Sequence, residues 1–193
     1  MRSLLPKLSI TAGVLSLFAF VAVGTLAVFT DTAAVPTNAF TTGTVDITTS
    51  PTSALFTVDG MAPGDSSTQA LVVSNGGSLE LRYAVSASAT DADSKGLKDI
   101  LVLTIKTVDV TAPTTPCDDF DGTELYTGDL DGASGVLIGS AAQGAQAGDR
   151  TLAASASETL CFRVELPLST GNEYQDATTT ATFTFEAEQI ANN

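Results

Sequence analysis

Two textures divide the chain. Residues 8–28, LSITAGVLSLFAFVAVGTLAV, carry no charge, whereas from Phe40 onward apolar and polar residues tend to alternate one by one. A period of two is the mark of half-buried strands, and no comparable stretch repeats at the spacing of an amphipathic helix. The pattern predicts strands over 40–49, 54–60, 68–75, 78–89, 99–110, 158–168 and 177–190. In the fourth of these, Leu79, Leu81, Tyr83 and Val85 share one face and Glu80, Arg82 and Ala84 the other. In the fifth, Leu101, Leu103, Ile105 and Thr107 form the core face, and the DADSKGLKD before it suits one helical turn. In the last, Ala181, Phe183, Phe185 and Ala187 alternate with Thr and Glu. Turn chemistry punctuates these runs: DGMAPGD closes the second strand, and NGG between the third and fourth is a hairpin signal.

Residues 111–150 break the alternation. They are rich in Gly, Asp, Ala and Pro, with short apolar islands at 124–130 and 135–139, and read as a long loop excursion with one small hairpin. Seven or eight strands joined by turns give an all-β fold, an antiparallel β-sandwich, and spacing alone leaves jelly-roll and immunoglobulin-like topologies open. The expected organisation is a signal peptide at 1–28, an extended segment at 29–39 and a single sandwich domain at 40–193.

The uncharged run changes the setting. Arg2 and Lys7 supply a positive lead, and the small residues Thr25 and Ala27 place cleavage around Ala27, Val28 and Phe29. At this length, retention as a signal anchor is the alternative. Export, to the extracellular matrix or cell surface, brings an oxidising environment, so Cys117 and Cys161 are expected to pair. Closing that loop would stabilise the fold by about 4 kcal/mol through chain entropy.

Charge then excludes partners. Acidic residues outnumber basic ones 22 to 8, and loss of Arg2 and Lys7 with the leader leaves 22 against 6, or −16. Such a surface repels nucleic acid and anionic lipid, so the membrane is met only through an uncleaved leader. There is no His in the chain, which removes Ser-His-Asp and Cys-His catalysis and His-bearing zinc sites. No phosphate-binding glycine loop is present. A hydrolase using carboxylates alone is the enzymatic option left, and the expectation is no catalysis and no cofactor. One acidic loop, CDDFDGTELYTGDLDG at 117–132, offers calcium as an alternative, with Asp119, Asp121 and Glu124 as ligands. It falls short of the twelve-residue calcium loop, and a solvated turn is the preferred reading.

Four stretches carry a resemblance: the leader ending GTLAVFTD, then FTTGTVDI, then MAPGDSSTQALVVSNGGSLELRYAVS, and NEYQDATTTATFTFEAEQ. Together they resemble the TasA/camelysin family of exported proteins with a SipW-type signal peptide. The resemblance implies a jelly-roll sandwich that assembles into biofilm matrix fibres, a homopolymer, after a signal peptidase has acted. It implies cleavage between Val28 and Phe29, and a donor segment from Phe29 to Phe40 in which Phe29, Asp31, Ala33 and Val35 face the acceptor. Pro36 within that segment removes one ladder donor. The competing expectations are a monomeric cell-surface binding module and an inactive relative of the camelysin metallopeptidases, the His-Glu-x-x-His motif being missing.

Overall fold

The computed structural model describes residues 39–108 and 116–191. Internal contacts divide the chain into Met1–Phe40 and Thr41–Asn193, and the second unit holds every element below. The expected signal peptide, the expected cleavage residues Ala27, Val28 and Phe29, and the donor candidates Asp31, Ala33 and Val35 lie outside the described residues.

Nine strands form two antiparallel sheets: β1 (Ile47–Ser50), β2 (Ser66–Asn75), β3 (Leu81–Ala89), β4 (Val102–Thr107), β5 (Glu124–Gly128), β6 (Val136–Ile138), β7 (Arg150–Leu152), β8 (Ser157–Glu165) and β9 (Ala181–Gln189). One short helix, α1 (Leu97–Ile100), and a 3-10 turn at Asn172–Tyr174 complete the regular structure. The first sheet runs β1-β2-β8-β4-β5. In the second, β9 lies along one side of β3, and the other side of β3 is shared by β6 and β7. Early strands pair with late ones, β2 with β8 and β3 with β9, which gives the jelly-roll-like sandwich its nested crossovers.

The core forms where the alternation says it should. Leu81, Tyr83 and Val85 of β3, Leu103 and Ile105 of β4, and Leu160 and Phe162 of β8 are essentially sealed from solvent. Phe183 and Phe185 of β9 close over them, with Phe183 5.3 Å from Phe162 and Phe185 6.1 Å from Tyr83, centroid to centroid. At one margin of the core, the Tyr83 hydroxyl donates to Glu158 Oε1 at 2.7 Å, and Arg150 pairs with the same carboxylate. Burial and then Glu158 push the Tyr83 hydroxyl far above the usual tyrosine range, so it stays a neutral donor.

Four expectations need correction. The segment 54–60 pairs with nothing and is not a strand. Residues 40–46 are likewise outside a strand, and β1 is confined to Ile47–Ser50. The NGG turn is no hairpin: β2 and β3 belong to different sheets, and residues 76–80 carry the chain across the sandwich. The 111–150 stretch is more than an excursion, because β5 completes the first sheet and β6 and β7 complete the second.

The crossing at 76–80 shows why NGG misleads. Asn75 is buried, and its side-chain nitrogen donates among the carbonyls of Leu79 at 2.8 Å, Leu152 at 3.2 Å and Ala153 at 3.1 Å. Its Oδ1 accepts from the Gly77 N–H at 2.9 Å. Residues 44–46 lie against the same turn: Gly76 N–H donates to Asp46 O, and Ser78 and Leu79 N–H to Thr44 O. The Thr44 carbonyl occupies the space a Cβ would need at Gly77, so no larger residue fits there without movement. The two sequence stretches FTTGTVDI and SNGGSL are thus a single knot.

Candidate functional site

The two long flanks of the sandwich end differently. On the flank of β5, β6 and β7 the outer strands are three to five residues long, short enough to blunt the edge against pairing. On the opposite flank β9 runs nine residues, and among the described residues β3 is its one neighbour. Beside it, β1 covers only Val72–Asn75 of β2, which leaves the outer edge of 66–71 bare among the described residues. An unpaired edge of this length presents a row of backbone donors and acceptors to any extended chain.

A groove of about 990 Å³, mixed in polarity, opens at the start of β9, its apolar lining including Ala181 and Phe183 together with Leu55, Phe56 and Met61. Val164 and Leu166, at the end of β8, contribute to its floor. Leu168, 81% exposed, and Val58, 43% exposed, stand on this end of the molecule, where the Leu168 side chain lies beside Gly64. The APGD turn sets the rim: the Ala62 N–H donates to the Asp65 carboxylate at 2.8 Å, and Gly64, at φ 94°, donates to Leu166 O.

The far wall, residues 172–180, hangs on side chains from the turn between β3 and β4. Thr178 N–H donates to Asp93 Oδ2 at 2.7 Å, Thr180 N–H to the Thr90 hydroxyl at 3.0 Å, and Lys95 Nζ to Gln175 O. The Thr178 and Lys95 backbone N–H groups hold the Asp93 carboxyl below the usual carboxylate range.

The disulfide joins Cys117 and Cys161, with Cα atoms 5.4 Å apart, as the sequence led one to expect. It fastens residues 117–123 to the outer face of the first sheet. Phe120 tucks beneath it, with the Arg163 guanidinium 3.8 Å and the Lys106 ammonium 4.9 Å from its ring centre. Cys117 and Phe120 hold φ at 75° and 49°, a left-handed backbone that the covalent tie and the two cation–π contacts offset.

The three calcium candidates, Asp119, Asp121 and Glu124, are exposed, and the fold does not gather them into a group. Among the described residues the one trio of carboxylates close enough to share an ion is Asp99, Asp129 and Asp131, with ligand atoms within 4.8 Å of one another. Two segments supply it: Asp129 and Asp131 stand two apart in the acidic loop, and Asp99 comes from α1, about thirty residues earlier, so the local spacing shows the pair but not the third member. A cation already sits there: Lys98 Nζ lies 2.9 Å from Asp99 and 3.2 Å from Asp131, and those two bonds raise its pKa. Asp131 also accepts the Ala89 N–H, and Asp129 accepts from the Tyr126 hydroxyl. Burial and then Asp129 push Tyr126 up to about 12. Catalytic zinc sites are built on imidazole or thiolate, with carboxylate as a supplement. The chain has no His and both cysteines are spent in the disulfide, so the residues present do not fit a catalytic zinc.

The other cations are also engaged internally. Arg82, nearly buried, is paired with Glu188 at 2.8 Å, Arg150 with Glu158, and Arg163 donates to the Thr68 hydroxyl.

No curated protein matches this chain. A family model does, over residues 6–114, more than half of the chain: that of the camelysin metallo-endopeptidases. The matched span ends beyond β4 and takes in the Thr44–Asp46 and Asn75–Leu79 knot and the APGD turn. On that match the chain belongs to the camelysin metallo-endopeptidase family.

Proposed function

We propose that this protein is a secreted or cell-surface structural subunit that polymerises by strand addition, the segment 29–39 of one copy pairing with the open flank of the next. The observation that carries this is the nine-residue outer edge of β9, unpaired among the described residues, lying beside a groove partly lined by apolar side chains, with the bare half of β2 on the same flank. A strand laid there would satisfy backbone groups that now face water and would cover Phe183 and its neighbours. Because donor and acceptor are different surfaces, the contact is heterologous and does not close on itself, so it grows a filament. Export by a signal peptidase precedes this, since Phe29 must be a free end for it to reach a neighbour.

The family's name speaks of a metallo-endopeptidase, and we propose that this member has no such activity. The support is chemical: no imidazole anywhere, no free thiol among the described residues, and a carboxylate trio of which two members, Asp99 and Asp131, are already paired with Lys98.

The test compares the secreted protein with a form lacking residues 29–39. The full form is expected to give filaments by electron microscopy and a size distribution that shifts upward with concentration. The shortened form is expected to remain a monomer with its melting temperature unchanged. A full-length protein that sediments as a monomer at every concentration would sink the proposal.

A further inference from the structure

Between β1 and the APGD turn runs a segment whose sequence and conformation disagree. ALFTVDG, residues 54–60, alternates like a strand and lines the groove together with Ala181 and Phe183 of β9, yet it joins neither sheet. Among the described residues, 51–61 make no backbone hydrogen bond at all, and the first comes at the Ala62 N–H. What holds the segment is apolar contact: Leu55, Phe56 and Met61, each half buried, pack against the core, while Val58 stays out. The opposite wall of the groove is built otherwise, with Asp93, Thr90 and Lys95 each bonded to 175–180. Displacing 54–61 therefore breaks no internal hydrogen bond, whereas displacing 172–180 breaks several. With the segment in place the groove remains open, at about 990 Å³.

We infer that residues 54–61 are a removable strap: in the free subunit they shield the groove beside β9, and they withdraw when the 29–40 segment of a second copy enters. The inference rests on strand addition as the mode of assembly. It adds that a subunit is competent to receive a strand only in the fraction of time the strap is out. The strap thus limits access to the groove in free subunits, and its hold on the core sets the rate of growth.

The experiment measures filament growth from preformed seeds, by light scattering and electron microscopy, for the secreted wild type and two variants. One is Phe56→Ala; the other replaces residues 52–61 with a Gly/Ser stretch of equal length. Near-ultraviolet circular dichroism checks that each is folded, and the Gly/Ser variant carries the test should Phe56→Ala unfold. Since apparent affinity scales with the competent fraction, both variants are expected to grow about tenfold faster than wild type. Equal or slower growth of the folded variants overturns the strap while strand addition stands. Absence of growth in the wild type and both variants overturns strand addition, and the strap with it.

Discussion

Two connections leave β2, one at each end, and they are built on opposite rules. The five residues 76–80 that lead to β3 are bonded at nearly every step, to Asn75, to Thr44 and to Asp46. The fifteen residues 51–65 that arrive from β1 are bonded only in their last turn. Length alone does not explain this, because 172–180 is also irregular and is well tied. The difference is in where the chain spends its polar groups. At the knot an amide side chain replaces a missing ladder, so the crossing is fixed. At the strap the peptide groups are left to water, and only apolar contact resists motion.

The largest expected effect is at the knot. Asn75→Ala strands the Gly77 N–H and three carbonyls in a buried place and should cost about 3 kcal/mol, read as a lower urea midpoint at unchanged slope. A loss below about 1 kcal/mol would mean water replaces the amide and the two connections are more alike than they look. At the strap, Phe56→Ala should cost the free subunit about 1 kcal/mol, since the ring is only half buried and leaves no orphaned polar atom. Hydrogen exchange on the same sample sharpens the contrast: the 54–61 amides are expected to exchange without protection while those of Gly77 and Leu79 are retained.

The smallest effect separates the ends by pH. The Asn75 amide does not titrate, but the groove's far wall hangs on a carboxylate. Asp93 has its folded pKa depressed, so its contribution is present above the ordinary carboxylate value and is lost as pH falls through the folded one. Acid below about pH 4 should therefore shift the Thr178 amide resonance before that of Gly77. Asp93→Asn is expected to abolish that acid step, and a step that persists in it would assign the titration elsewhere.

Much of this was legible in the residues, for physical reasons that differ by region. β2, β3, β4, β8 and β9 each have six or more residues, long enough for alternation to specify both the strand and its buried face. β5, β6 and β7 have three to five, too few for a period to register, and their Gly- and Asp-rich surroundings look like loop. The 54–60 segment has the pattern without the partner, since alternation reports compatibility with a sheet and a ladder needs a neighbour to bond. NGG favours a tight turn, but a buried Asn75 whose amide reaches β7 recruits it for a crossing instead. The disulfide followed from compartment and count. Asp129 and Asp131 lie within the acidic loop read from the sequence, but Asp99, which completes the trio, and the walls of the groove come from segments distant in the chain and leave no local mark.

The fate of the positive charges reaches beyond any one subunit. Every Lys and Arg among the described residues is turned inward to a carboxylate, a carbonyl, a hydroxyl or an aromatic ring. What remains facing outward is a coat of one polarity. Rows of such molecules laid side by side would hold one another off in dilute buffer. Added electrolyte, which shortens the reach of that repulsion to about 10 Å at 0.1 M, would let the rows draw together into thicker bundles.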